Sequence, residues 1–318
     1  MKAVFLDYQS LDQNDLDFSA LAALFDEWVL YPATDQQALH QRICDADVVI
    51  SNKVVIDAAA MQQAAQLKLI LISATGSNNI DLAHAKAQGI VVCNCQAYGT
   101  SAVAQHTLML MLALSTSLLQ YHQAVQQGQW NRAQQFCLLD FPIVELAGKT
   151  LGIVGYGDLG QAVAKLARAF DMRVQVAQLA HRPMHADRVP LQQMLAEADY
   201  VSLHCPLNDD TRDLIDAKAL SMMKPSAFLI NCARGGIVNE ADLLQALQHR
   251  QIAGAATDVL TVEPPQQGNI LLDAALTNLI ITPHSAWGSV DARQRIVQQM
   301  FENTQAFLQG QPIRQVNA

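Results

Sequence analysis

The chain has 318 residues, of which 51% are hydrophobic and 15% are charged, and its formal net charge is −9. A chain of this length can form two ordinary α/β domains, each with its own core. Nucleic acids and anionic membranes are poor partners for an acidic protein without a basic block. A small anionic substrate would therefore need a local cation.

The six cysteines are scattered and lie mostly in apolar runs (Cys44, Cys93, Cys95, Cys137, Cys205 and Cys232). No CxxC pair occurs, and the CNC run at 93–95 lacks the spacing of a zinc half-site, so we expect free thiols and no metal site. The N-terminal segment reaches Asp7 too soon for a signal peptide. Polar side chains in the apolar segment 101–119 favour a buried helix over a membrane span. We expect a cytoplasmic protein.

Short apolar runs alternate with helical patterns through the first hundred residues. Strands are predicted at 2–8, near 29, and at 47–51, 67–73 and 90–92. Helices are predicted at 16–24, 35–44, 57–66 and 81–88. This alternation predicts a parallel sheet covered on both faces, with ligands beyond the carboxyl ends of its strands.

One strand-end segment of this half, SATGSNN at 73–79, is small and polar. Backbone N–H groups in such a loop are free to bind an anion. The alternative is an ordinary loop in which Asp81 caps the next helix. Both interpretations stay open at this point.

The second half of the chain repeats the alternation after a long helical segment. A single helix is predicted at 101–127, because no glycine or proline interrupts it. Strands are predicted at 151–154, 174–178, 200–204, 228–231, 252–257 and 279–282, and a final helix at 290–308. A second doubly wound parallel sheet follows from this pattern.

The run LGIVGYGDLG at 151–160 turns from an apolar strand into a helix. Gly155 permits the tight turn, Gly157 lets a pyrophosphate approach the backbone, and Gly160 lets the helix pack on the strand. The helix N-terminus then offers N–H groups and its dipole to the phosphates. The alternative is a plain structural turn. The remaining residues of the predicted dinucleotide loop are Tyr156, Asp158 and Leu159.

Three later strand ends carry polar side chains. Arg234 follows a buried strand and offers a planar fork that matches a carboxylate, although a solvated or paired arginine is the alternative. Asp258 ends the next strand, where it could face a nicotinamide ribose or carboxamide, and Glu263 is held extended before two prolines. The alternative for both is a turn carboxylate. His284 ends the last strand, where a neutral structural histidine is the alternative. We expect these groups to converge.

This constellation, with the glycine turn, resembles the D-isomer-specific 2-hydroxyacid dehydrogenases over nearly the whole chain. The ATGSNNID run at 74–81, the YGTSAVAQHT run at 98–107 and the TPHSAW run at 282–287 look like the glycerate dehydrogenase (hydroxypyruvate reductase) branch. The resemblance implies a Rossmann-type cofactor lobe at 100–286. It also implies a flavodoxin-like substrate lobe at 1–99, completed by 287–318.

The resemblance implies an NAD(P)-dependent oxidoreductase that interconverts a small D-2-hydroxy acid and its 2-keto acid. D-Glycerate and hydroxypyruvate are the expected pair, with glyoxylate as a further substrate. Alternatives are a dehydrogenase for another small 2-keto acid, or a non-enzymatic dinucleotide-sensing protein similar to the related corepressors. The apolar helix at 101–119 suggests a homodimer.

The resemblance also assigns roles to individual residues. Arg234 would clamp the substrate, His284 would be the acid/base, and Glu263 would hold its imidazole. The other substrate contacts would be Ala74, Thr75, Gly76 and Trp287, although Trp287 could instead be a packing residue. Cofactor contacts outside the glycine loop would be Thr107, Cys205, Pro206, Thr211, Cys232, Ala233 and Asp258.

One departure concerns the cofactor. NAD-preferring proteins of this type carry an acidic residue after the second strand of the dinucleotide fold. Here Gln178 stands at that place, and His181 and Arg182 follow closely. An arginine there can accommodate a 2′-phosphate, so Gln178 and Arg182 predict weak discrimination between NADH and NADPH.

Overall fold

The structure is a computed structural model that describes residues 1–179 and 183–318. The chain divides into two compact units. The first unit comprises Met1–Gly99 and Gly288–Ala318, and the second comprises Thr100–Trp287.

Strands and helices alternate along the described chain. The strands are β1 Lys2–Phe5, β2 Glu27–Leu30, β3 Val48–Ser51, β4 Leu69–Ile72, β5 Val91–Cys93, β6 Thr150–Val154, β7 Arg173–Gln178, β8 Val189–Pro190, β9 Tyr200–Leu203, β10 Phe228–Asn231, β11 Gly254–Thr257 and β12 Leu279–Ile281. The helices are α1 Ser19–Ala22, α2 Gln36–Ile43, α3 Ala58–Gln62, α4 Leu82–Ala87, α5 Thr100–Ser115, α6 Leu118–Gln126, α7 Gln129–Arg132, α8 Asp158–Ala169, α9 Leu191–Glu197, α10 Ala217–Met222, α11 Glu240–Gln248, α12 Ile270–Asp273 and α13 Val290–Leu308.

The first unit has a parallel sheet in the order β2-β1-β3-β4-β5, which is the flavodoxin-like order. Every residue of β3 and β4 is buried, as expected for central strands covered on both faces. Aspartates cap α2, α3 and α4 through N–H groups of their first turns, and one of them is the predicted cap Asp81. The C-terminal segment pairs antiparallel with β5 through Cys93 and Gln315.

The second unit has a parallel sheet in the order β12-β11-β10-β9-β6-β7-β8, a Rossmann order with one added strand. Alternate side chains of its strands enter two separate cores. Ile153 and Ile230 pack on one face, while Val154 and Leu229 pack on the other. The predicted fold class, two doubly wound parallel sheets, is confirmed.

The prediction of one continuous helix at 101–127 is wrong. α5 and α6 are bent by 61° at a break, where Ser117 has a left-handed φ of 49°. The hydroxyls of Ser115 and Thr116 each donate to the carbonyl four residues earlier, at 2.6 and 2.8 Å. Such back-bonding bends helices. Bonds from Ser117 Oγ to the Pro142 carbonyl and from the Val144 N–H to the Ser115 carbonyl hold the break.

No single helix of the described residues is long and apolar enough to cross a membrane, although the bent α5–α6 pair passes that test by length and composition. Half of the α5 residues are buried within the protein. All six cysteines are free thiols, and only Cys44 and Cys137 are exposed.

Candidate active site

The glycine loop has a distinct reason for each glycine. Gly155 has a φ of +93°, and a Cβ built on it would lie 2.6 Å from the backbone of His204 and Cys205. A Cβ on Gly160 would lie 2.2 Å from the Gly155 carbonyl oxygen. Nothing lies within 4 Å of a Cβ built on Gly157, which is the N-cap of α8. The loop therefore packs tightly on the protein at two positions and is open at the third, which fits a bound pyrophosphate.

The segment after β9 continues this edge of the sheet. Cys205 and Thr211 are buried and Pro206 is exposed. The Thr211 hydroxyl donates to the Pro206 carbonyl at 2.6 Å, which folds the segment into a compact turn. Burial raises the pKa of the Cys205 thiol to about 11, so the thiol is neutral at pH 7.

Three further predicted cofactor residues are buried. The Thr107 side chain on α5 is completely buried, and its hydroxyl donates to the Val103 carbonyl at 2.8 Å. Burial raises the pKa of the Cys232 thiol to about 12, although its hydrogen bond with Thr107 acts in the opposite direction and lowers the pKa. Ala233 beside it is also buried. Direct cofactor contacts by these side chains stay predictions.

The Gln178 carboxamide is hydrogen-bonded to the protein backbone. Its Nε2 donates to the carbonyls of Leu179 at 2.9 Å and Pro183 at 3.3 Å, and its Oε1 accepts the His185 N–H at 3.3 Å. The side chain is thus used by the protein at the place where an acidic residue would bind a ribose. Arg182, the predicted phosphate contact, lies outside the described residues.

Arg234 extends from the end of β10 on a tightly packed turn. Its Nη1 donates to the Ala233 carbonyl at 2.7 Å, and its own carbonyl accepts Asn231 Nδ2 at 2.9 Å. A Cβ built on the next residue, Gly235, would lie 1.9 Å from the Leu260 carbonyl oxygen. Only glycine permits this approach, which brings the arginine turn against the segment that carries Glu263.

Glu263 and His284 form a hydrogen-bonded pair. Glu263 Oε2 lies 2.6 Å from His284 Nδ1, and Oε1 accepts the Leu260 N–H at 2.8 Å. Burial raises the pKa of Glu263, but the hydrogen bonds from His284 and Leu260 and the nearby charge of Arg234 outweigh it, so the pKa lies below its ordinary value. The second unit thus brings together the three predicted catalytic residues.

A network that sequence reasoning missed anchors the histidine loop. His106 Nε2 lies 3.0 Å from Thr282 Oγ1, which donates to Asp258 Oδ1 at 2.5 Å. Since the threonine hydrogen is used on Asp258, His106 must donate through Nε2–H. Asp258 also accepts the N–H groups of Ser285 and Ala286, at 3.0 and 2.9 Å. The local sequence gives no signal for this link from α5.

The network fixes His284 in an unusual backbone conformation. Its φ is +52°, a left-handed value that non-glycine residues adopt at a cost. Its N–H donates to the carbonyls of Asp258 at 2.8 Å and Thr282 at 3.0 Å. The buried Asp258 therefore fixes the loop that carries His284 through hydrogen bonds to both its carboxylate and its backbone carbonyl.

The remaining predicted residue of this unit, Trp287, is half-buried and packs against the core cluster beneath β6 and β10. The packing role considered from the sequence is therefore observed. Contact with a substrate stays a prediction.

The predicted anion loop of the first unit follows β4. Ala74 is buried and its carbonyl accepts the Cys95 N–H at 3.0 Å, whereas Thr75 and Gly76 are exposed. Within residues 1–179 and 183–318, no acceptor contacts the N–H groups of Thr75 and Gly76. Two adjacent N–H groups are thus available to an anion.

Comparison with known proteins decides the family. The model for the NAD-binding domain of D-isomer-specific 2-hydroxyacid dehydrogenases matches residues 108–286. The chain belongs to this family. It is 44% identical to the glycerate dehydrogenase of Methylorubrum extorquens, over 100% of this chain and 99% of that protein.

A second relative and a solved structure are also similar to the chain. The chain is 35% identical to the hydroxypyruvate reductase of Blautia hydrogenotrophica, over 100% of both proteins. Among solved structures, an acyclic imino acid reductase in complex with NADPH and D-Arg has a TM-score of 0.84 and 28% identity, over 99% of this chain and 100% of that one. The predicted family and the predicted class, a nicotinamide-dependent dehydrogenase, are confirmed.

Proposed function

We propose that the protein interconverts a small D-2-hydroxy acid and its 2-keto acid, with Arg234, Glu263 and His284 as its catalytic residues. The observation that carries this proposal is the 2.6 Å pair of His284 Nδ1 and Glu263 Oε2, with Arg234 close enough to lower the pKa of the same carboxylate. A proton donor and a carboxylate-binding cation are the groups that reduction of a keto acid requires.

The proton would come from His284. Its Nδ1 is occupied by Glu263, which leaves Nε2 for the substrate oxygen. A carboxylate on Nδ1 fixes the tautomer and stabilises the imidazolium that donates a proton during reduction. The hydride for the carbonyl carbon would come from a reduced nicotinamide when one is bound. In the reverse direction, neutral His284 accepts the hydroxyl proton.

Two groups would bind the substrate carboxylate and polarise its carbonyl. The forked Arg234 guanidinium can donate to a carboxylate oxygen and to the carbonyl oxygen of the substrate. It would thereby stabilise the alkoxide that develops on the carbonyl oxygen. In the first unit, we assign the available N–H groups of Thr75 and Gly76 to the carboxylate. Ala74 and Trp287 would border the same substrate.

D-Glycerate with hydroxypyruvate is the substrate pair that we propose, with glyoxylate as a second keto acid. Support comes from the relatives named glycerate dehydrogenase and hydroxypyruvate reductase, which match the chain over its full length. Another small 2-keto acid is the alternative.

The dinucleotide would lie on the glycine loop of 155–160, with its pyrophosphate at Gly157 and the N-terminus of α8. Cys205, Pro206 and Thr211 after β9, Cys232 and Ala233 after β10 and Asp258 after β11 would continue the cofactor site along the same strand ends. We propose that NADH and NADPH are both used, since Gln178 carries no charge to repel a 2′-phosphate.

A second copy of the chain is the macromolecular partner that we propose. α5, on which the sequence suggested a dimer, is half buried. One exposed apolar side chain, Met109, lies on α5, and more lie on α6, α7 and the segment after them, among them Leu118, Trp130, Phe136 and Leu139, at 55%, 53%, 91% and 75% exposure. Contiguous exposed apolar surface is typical of an interface. Sedimentation of the wild type and of the Phe136→Ser/Leu139→Ser double variant tests whether the chain forms a dimer through these side chains.

We further propose a cytoplasmic location for the protein.

Oxidation of NADH and NADPH in the presence of a panel of 2-keto acids tests the proposed function. We expect hydroxypyruvate and glyoxylate to give the highest catalytic efficiencies, with pyruvate and larger keto acids below them. An inactive protein that still binds NADH would contradict the enzyme and favour a dinucleotide sensor. Activity highest on another keto acid would overturn the substrate alone.

A further inference from the structure

A peptide bond in the first unit is held by a buried side chain. Asn94 is 5% exposed, and its Nδ2 donates to the Thr75 carbonyl at 2.7 Å. A trans peptide is planar, so the Thr75 carbonyl and the Gly76 N–H point in opposite directions. Once Asn94 holds the carbonyl, the Gly76 N–H is directed away from Asn94.

The opposite side of this peptide is open. Gly76 is exposed, and a Cβ built on it would meet no atom within 4 Å. In the described ranges 1–179 and 183–318, its N–H donates to no protein acceptor. A second tie comes from the Thr75 hydroxyl, which donates to the Cys95 carbonyl at 2.9 Å. The loop is thus fixed on one side and available on the other.

Asn94 is itself fixed by the C-terminal part of the chain. Its N–H donates to the Arg314 carbonyl at 3.1 Å, and its carbonyl accepts Asn303 Nδ2 at 3.0 Å. Asn303 lies on α13, is 1% exposed, and accepts Arg314 Nη1 at 3.0 Å. Because the Thr75 carbonyl can only accept, Asn94 must turn its Nδ2 towards it, and its Oδ1 then accepts Gln96 Nε2 at 3.2 Å.

We propose that Asn94 is a positioning residue for substrate binding: it orients the Thr75–Gly76 peptide so that the Gly76 N–H faces the carboxylate of the substrate. This inference rests on the proposed function. A carboxylate is present in the keto acid and in the transition state alike. Loss of its donor therefore raises KM and leaves kcat nearly unchanged.

The test is Asn94→Ala, which removes the amide without adding a charge. With hydroxypyruvate as substrate, we expect KM to rise about tenfold and kcat to stay within about threefold. The dissociation constant for NADH should not change. Asn317→Ala is the matched control, because its buried amide donates to the Ile90 carbonyl at 2.7 Å and accepts the Val92 N–H at 3.0 Å. It should lower stability without raising KM.

A double variant distinguishes a positioning role of Asn94 from a general loss of structure. Gly76→Pro deletes the N–H itself and should raise KM in the same way. If Asn94 acts through that N–H, adding Asn94→Ala to Gly76→Pro should raise KM no further. Should Asn94→Ala not fold, Asn94→Ser carries the same test with a shorter side chain.

The outcomes distinguish this inference from the proposed function. A wild type that reduces hydroxypyruvate, with an Asn94→Ala variant of unchanged KM, overturns the role of Asn94 and leaves the proposed function standing. Additive increases in KM for the two substitutions also overturn it. A wild type that reduces no 2-keto acid overturns the proposed function, and this inference with it.

Discussion

His284 Nδ1 lies 2.6 Å from Glu263 Oε2, and both side chains are about one-third exposed, at 34% and 32%. The lowered pKa of Glu263 keeps its carboxylate ionised at neutral pH. A charged acceptor at this distance fixes the proton of His284 on Nδ1 and stabilises the doubly protonated ring. The pair is therefore arranged for a proton donor that must be charged when reduction begins.

The first prediction concerns the carboxylate of Glu263. In Glu263→Gln the His284 ring loses the anionic partner that orients it at 2.6 Å and stabilises the charged ring in catalysis. We expect kcat for a 2-keto acid to fall by about 10²–10⁴-fold. Glu240→Gln is the control, because Glu240 accepts the Thr261 N–H at 2.7 Å from the same segment but holds no histidine. Unchanged turnover in Glu263→Gln would contradict the role of Glu263.

The second prediction concerns Gly235. In Gly235→Ala the new methyl would lie 1.9 Å from the Leu260 carbonyl oxygen, so the backbone that orients Glu263 must shift. We expect kcat to fall by about a hundredfold, because displacements near 1 Å can cost that much. In the control Gly236→Ala the nearest atom is a Leu207 methyl at 3.6 Å, and only the strain of a φ of +79° remains. Equal kinetics for both variants would refute this assignment.

The third prediction concerns cofactor choice. We expect wild-type catalytic efficiencies for NADH and NADPH to differ by less than a hundredfold. Gln178→Glu should shift the choice strongly towards NADH, because like charges in contact cost several kcal/mol. The same substitution removes the Nε2 donor to Leu179 and Pro183. Gln178→Met removes that donor without a charge and is the control. A wild-type preference for NADH beyond about a hundredfold, roughly 2.7 kcal/mol, would contradict the prediction.

The fourth prediction concerns stability in acid. His204 is buried, its Nε2 lies 2.8 Å from Ser202 Oγ, and burial lowers its pKa to about 4. Unfolded chains take up this proton near pH 6.5, so the folded state loses stability as the pH falls from about 6.5 to about 4. The loss from this group is on the order of 3 kcal/mol. Urea unfolding at several pH values should show a shallower decline for His204→Gln. Parallel curves would contradict it.

The glycine loop and the strand ends could be predicted from the sequence because their patterns are local. Gly155 and Gly160 stand where the backbone leaves no room for a Cβ, and Gly157 stands between them at the open N-cap of α8. Arg234 and His284 each follow a buried strand, and strand ends of a parallel sheet meet along one edge.

The missed features depend on side chains that meet across the fold. His106 and Thr282 are separated by 176 residues, and nothing near either residue indicates their contact. The helix break at Ser117 depends on the hydroxyls of Ser115 and Thr116, which donate to carbonyls of the preceding turn. Helix propensity alone does not predict whether such hydroxyls form these bonds. Gln178 resembles a substitute ligand in the sequence, whereas in the structure its amide is hydrogen-bonded to the backbone of Leu179, Pro183 and His185.

The most direct test of the proposed chemistry is His284→Ala, measured with hydroxypyruvate in the steady state and with NADH in a fluorescence titration. General acid catalysis is commonly worth about 10²–10⁴-fold, so we expect kcat to fall by that factor while NADH affinity stays within about threefold. A variant that keeps more than about a tenth of wild-type turnover would show that His284 is not the proton donor.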